Sequence, residues 1–170
     1  MWTPSGPRQP LFSERGSWVR RLVIAGFVLV ALCGVAEAGA IAVVAHPGVE
    51  VDDLSFAELR KIMLADRQFW STGQRITLIV RAPVAIERTT LLERVFKMSE
   101  AQYRQYWVAK VFRGEATDGP RVVVSNEEAV DLVSVLEGAI TIVDAVDVPE
   151  GLKVLRIDGH LPGDPEYAFN

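Results

Sequence analysis

The chain of 170 residues predicts an α/β protein, a layered sheet with helices on both faces. Three observations carry that expectation. Short apolar runs rich in Val and Ile alternate with amphipathic stretches of helical period. Boxes of the form Ser/Thr-x-x-Glu/Gln stand at the heads of those stretches. Turn residues separate each stretch from the next. The composition, 49% hydrophobic and 24% charged, is that of a globular chain and excludes collagen-like, low-complexity and largely disordered classes. A net charge of −4 gives no basic signature for nucleic acid. One cysteine and two histidines exclude a disulfide framework and a zinc finger.

The amino-terminal segment reads as an export signal, residues 1–38. Arg20 and Arg21 precede an uncharged run, LVIAGFVLVALCGV (Leu22–Val35). That run is short of the roughly 20 apolar residues that span a bilayer. The triplet Ala36-Glu37-Ala38 matches a leader-peptidase site and places cleavage before Gly39. The other reading is an uncleaved anchor, Leu22–Ala45, interrupted by Glu37. A charge costs about 2.5–3.5 kcal/mol at the centre of an inserted helix and less near its end. Cleavage removes four arginines, two glutamates and Cys33. The cysteine-free remainder, about 130 residues, suits one domain and a disulfide-forming compartment. Within it, residues 39–159 form the domain and 160–170 a flexible tail.

The elements follow in order. Ala40–Ala45 (AIAVVA) is a buried strand closed by His46-Pro47-Gly48. Ser55-x-x-Glu58 caps a helix over Phe56–Ala65, whose Phe56, Leu59, Ile62 and Met63 share a face. Phe69-Trp70 and Gly73 form a loop. Arg75–Arg81 (RITLIVR) is the second strand, bounded by Pro83. A helix covers Ile86–Lys97, with a second box at Thr90-x-x-Glu93. Ser99-x-x-Gln102 opens a helix over Glu100–Phe112 that stops at Gly114. Val122–Val124 is a short strand, and Ser125-x-x-Glu128 opens a helix over Asn126–Glu137 before Gly138. Ala139–Val143 and Leu152–Ile157 are the last strands, and the Gly/Pro-rich end frays.

Catalytic chemistry is hard to find. There is no nucleophile elbow and no phosphate-cradling GK[ST] loop. His46 reads as a strand-end cap and His160 as a tail residue. Asp52-Asp53 and Glu127-Glu128 sit where helix dipoles favour carboxylates. Asp144 and Asp147 flank a loop without enough oxygens for a cation. Tyr103, Tyr106 and Trp107 repeat at helical spacing and read as core; Trp70 reads as packing. No enzyme activity, metal or cofactor is expected. One place stands apart. Arg81 ends a strand, and a helix carrying Arg88, Thr89 and Thr90 starts just beyond it. Ligands of α/β sheets bind at the carboxyl ends of strands, helix N-termini attract anions, and a guanidinium grips an oxyanion bidentately. Arg81, Arg88, Thr89 and Thr90 are therefore the candidate ligand-binding residues. A salt bridge from Arg81 to a neighbouring carboxylate is the equal alternative.

The order of IAVVAHPGVEVDDLSFAELRKIMLAD, ITLIVR, LLERVFKMSEAQYRQYWVAKVFRG and SNEEAVDLVSVLEGAITIVDA resembles the phosphate-binding component of ABC importers, a type II periplasmic solute-binding family. The likeness covers about Ala40–Gly159 and matches one lobe, the second. It implies a non-catalytic, periplasmic solute-binding-like domain. It also implies that Arg81 stands where the family has a phosphate-holding arginine. The family's Ser-Gly-Thr triplet falls on Ala85-Ile86-Glu87, which removes two hydroxyls and adds a carboxylate. Two like unit charges about 4 Å apart at an effective dielectric near 20 repel by about 4 kcal/mol, roughly a thousandfold in affinity. The expected function is thus an exported domain with weakened or lost phosphate binding. Its partner is a small anion or another protein, and a homodimer is one way to restore a cleft. The alternative is a membrane-anchored extracytoplasmic interaction or sensory module.

Overall fold

The computed structural model describes residues 39–169; the export signal and the alternative anchor lie largely outside them. Seven strands and four principal helices follow in chain order: β1 (Ile41–Ala45), β2 (Asp53–Leu54), α1 (Phe56–Met63), β3 (Thr77–Arg81), α2 (Ile86–Thr90, continued by a π-helical turn Leu91–Phe96), α3 (Glu100–Phe112), β4 (Arg121–Val123), α4 (Asn126–Val135), β5 (Ala139–Asp144), β6 (Lys153–Val154) and β7 (Arg156–Ile157). The main sheet has the order β4-β3-β5-β1-β6. Strands β4, β3 and β5 are parallel. β1 runs against both β5 and β6.

β1 is buried at every position because both edges are paired and both faces are covered. Its alternating side chains divide the core. Ile41, Val43 and Ala45 face the layer formed by α1, the π turn and α3, while Ala42 and Val44 face α4 through Ala129, Val130 and Val133. Helices therefore cover both faces, as the sequence predicts. Among the described residues no helix is long and apolar enough to cross a membrane.

The capping boxes behave as local chemistry dictates at two of four places. Ser55 with Glu58 and Ser99 with Gln102 each exchange both hydrogen bonds. Ser125 accepts from the Glu128 amide, but the Glu128 carboxylate accepts from the Val124 amide at 2.8 Å. Thr90 makes no cap hydrogen bond, because the chain passes through it in helical conformation into the π turn. Lys97, with φ 57°, ends that helix.

Three expectations are corrected. The strand placed at Leu152–Ile157 divides: β6 pairs with β1, and β7 pairs in parallel with β2, a strand that the sequence reading missed. Asp52 and Asp53 do not serve the dipole of α1. Asp52 pairs with Lys153 at 2.6 Å, and Asp53 accepts from the Gly159 amide. The α1 terminus is served instead by Asp158, which accepts from the Phe56 amide at 3.1 Å. The tail is packed rather than frayed: Tyr167 and Phe169 are buried, and the Phe169 ring lies 6.0 Å from that of Phe56. The aromatic payload of those two rings outweighs the Gly/Pro content that suggested fraying.

Candidate functional site

The parallel strands β3, β4 and β5 end on one rim of the sheet. Arg81 is the last residue of β3. Beyond it Ala82-Pro83-Val84-Ala85 forms a turn closed by the Ala85 amide donating to the Ala82 carbonyl at 3.3 Å. Proline at the second position and positive φ at the third define a type II turn. The third position holds Val84 at φ 71°, fully exposed, where glycine is the usual occupant. The turn delivers Glu87, in the first turn of α2, back onto the strand end.

Glu87 and Arg81 are both largely buried and form an ion pair, Nε to Oε2 at 3.5 Å. The other Glu87 oxygen accepts from Asn126 Nδ2 at 2.6 Å, and the same amide nitrogen donates to Asp147 at 2.8 Å. Asn126 opens α4 and Asp147 follows β5, so the three strand ends are tied by one polar cluster. Arg81 Nε and Nη1 and Asn126 Oδ1 make no hydrogen bond among the described residues. An open cleft of about 620 Å³ lies beside the cluster. Among the described residues Arg81 is the only cation lining it, against Glu127, Asp131 and Asp147. Val84, Ile86, Val124 and Val146, just beyond the ends of β3, β4 and β5, are exposed, and Val124 lines the cleft.

The sequence-predicted residues separate here. Arg81 reaches the cleft. Arg88 is drawn into the core, where it pairs bidentately with Glu100 at 2.9 and 3.0 Å and lies 4.1 Å from the centre of the Tyr103 ring. Thr89 donates to the Ala85 carbonyl at 3.1 Å, an ordinary helix back-bond. Thr90 lies inside the continuous helix. Sequence reasoning missed Asn126 and Asp147 as members of the cluster. A local signal existed for Asn126 alone, which follows the Ser125 cap at the end of a parallel strand.

The plainer readings of the other residues match the geometry. His46 Nδ1 accepts from the Gly48 amide at 3.0 Å. Trp70 is buried and its indole donates to the Gly138 carbonyl at 3.0 Å. Tyr103 and Trp107 are core residues, and burial pushes the Tyr103 hydroxyl up to about 12. Among the described residues no group of three or more His, Cys, Asp or Glu is placed to hold a metal ion.

No family model matches the chain, and no curated protein matches it in sequence. Solved structures do. A phosphate ABC transporter substrate-binding protein from Clostridium perfringens, with bound phosphate, is 18% identical, with TM-score 0.58 over 71% of this chain and 46% of its own. PstS from Borrelia burgdorferi is 18% identical, with TM-score 0.59 over 73% and 49%. An ABC-type phosphate transport receptor from Vibrio cholerae is 16% identical, with TM-score 0.58 over 73% and 48%. The fold is therefore that of one lobe of the phosphate ABC transporter substrate-binding proteins, as the segment order suggested. The chain spans about half the length of those structures.

Proposed function

We propose that this chain is an exported, non-catalytic domain of the phosphate substrate-binding type in which phosphate binding is weakened or lost. The observation that carries the proposal is Glu87, whose carboxylate holds the one guanidinium that lines the cleft among the described residues. An incoming phosphate must displace that carboxylate or share Arg81 with it. Three further acids line the same cleft, and like charge repels the anion. Inorganic phosphate titrated by calorimetry into the full chain gives no heat in the micromolar range. Micromolar binding refutes the proposal.

Export places the domain in the periplasm, with Gly39 as first residue. Amino-terminal sequencing of exported material checks this, and an intact chain in the membrane fraction refutes it. A second reading is favoured by Val84, Ile86, Val124 and Val146, which are exposed just beyond the ends of β3, β4 and β5. Exposed valines and isoleucine at the sheet end that carries a neutralised cation suit a protein surface, a second copy included, better than a small hydrated anion. Light scattering of the purified chain separates monomer from homodimer.

A further inference from the structure

A second cavity opens at the opposite end of β3. It sits at the amino ends of β3 and β4, beside the loop that follows α1 and the loop that joins α3 to β4, and holds about 290 Å³. Its charge is the reverse of the Arg81 cleft. Arg67, Arg75 and Arg121 line it, and among the described residues Asp118 is the one carboxylate that does.

These guanidinium groups are poorly neutralised from within. Arg67 has a long contact to Glu58, 3.5 Å, and donates to the Phe69 carbonyl. Among the described residues the Arg75 side chain donates only to the neutral Thr117 hydroxyl, at 3.2 Å. Arg121 is exposed and its side chain enters no hydrogen bond or ion pair among the described residues. In a chain of net charge −4, three arginines gathered on one small cavity raise a local positive field. The floor is different in kind, formed by the buried Ile62, Ile76 and Trp107. A cationic rim over an apolar floor selects a ligand with an acidic head and an apolar body. The fork of the guanidinium matches a carboxylate or a phosphate ester. Inorganic phosphate would leave the floor uncovered, and an extended nucleic acid does not fit so small a volume.

We propose that this cavity binds a small organic oxyanion, whose charge is held by Arg75 and Arg121 and whose apolar body rests on Ile76 and Trp107. The length of β3, about 13 Å for its five residues, separates it from Arg81. The site therefore stands whether or not the Arg81 cleft binds phosphate.

Calorimetry on the full chain in phosphate-free, low-salt buffer tests it with four probes: phenyl phosphate, benzoate, inorganic phosphate and benzylamine. At least one of the two organic anions binds saturably with a Kd below about 1 mM. The two organic probes distinguish an ester from a carboxylate ligand. Inorganic phosphate and benzylamine bind at least tenfold more weakly. Arg75→Gln and Arg121→Gln each weaken binding by about tenfold, while Arg156→Gln, an exposed arginine on β7, leaves it unchanged. Both lining arginines are exposed, so the variants fold, which circular dichroism verifies. Three results overturn the proposal: no saturable binding of either organic anion, equal affinity for inorganic phosphate, or binding lost in Arg81→Gln but kept in Arg75→Gln and Arg121→Gln.

Discussion

Neutralising Glu87 while keeping its shape isolates the charge that occupies Arg81. Glu87→Gln retains an oxygen for the Asn126 amide, which now donates at 2.6 Å, and removes only the attraction to the guanidinium. Two unit charges 3.5 Å apart at an effective dielectric near 20 attract by about 5 kcal/mol. Desolvation offsets part of this. Removing one partner of a buried pair nevertheless costs about 3–5 kcal/mol, since the other charge stays buried alone. Arg81→Met should cost a similar amount, and the double variant should cost much less than the two singles together. A coupling energy of at least about 2 kcal/mol is expected. Urea unfolding followed by circular dichroism reads it directly. With a slope of about 1–3 kcal/mol/M, each single variant lowers the midpoint by roughly 1–5 M. If the singles add to the double within about 0.5 kcal/mol, the carboxylate does not hold the guanidinium in solution. Arg81 would then be available to anions, and the proposed loss of phosphate binding would fail with it.

Three further outcomes follow from the geometry. Val84→Gly relieves a β-branched residue at φ 71°; a left-handed L-residue costs about 1–2 kcal/mol and glycine's extra chain entropy about 0.5–1, so thermal unfolding shifts upward by about 1 kcal/mol of stability, and a decrease would refute the strain. Phe169→Ala removes a buried ring packed on Phe56 and Tyr167 and costs about 3 kcal/mol, whereas an unaltered urea midpoint would mean the carboxy-terminal segment is loose. The hydrogen bonds from Arg88 hold the Glu100 carboxyl below its ordinary 4.5. Its contribution is therefore complete above pH 4.5 and is lost as the pH falls through the folded-state value. Glu100→Gln is less stable than the native chain by about 2 kcal/mol at neutral pH, and the gap closes in acid; a pH-independent gap would refute the assignment.

What was legible in the sequence was local. Ser55 and Ser99 lie within three residues of the groups that complete their caps, so the pattern and the structure coincide. Helical faces such as Leu59, Ile62 and Met63 carry their own period. The Thr90 box has the same letters, but a helix already under way from Ile86 satisfies the amides that a cap would serve. Long-range pairing left no such mark. β2 and β7 have two residues each and no alternation to read. Asp158 serves α1 from about a hundred residues away. Tyr167 and Phe169 looked like the end of a loose tail because nothing near them in sequence shows what they pack against. At the candidate site, the position of Arg81 at a strand end was readable, and so was the acid brought in at Glu87. Their direct contact depends on the turn at Val84, and Asn126 joins them only once β4 lies beside β3.

The strand that comes first in the described chain must also wait long for both of its neighbours. Ile41–Ala45 pairs with Ala139–Asp144 and with Lys153–Val154, partners roughly a hundred residues downstream, and such distant closure slows folding. A ribosome delivers this strand about a hundred residues before either neighbour exists. Over that stretch of synthesis the nascent polypeptide stays pliant, and in that interval it remains a substrate for any machinery that handles unfolded chains.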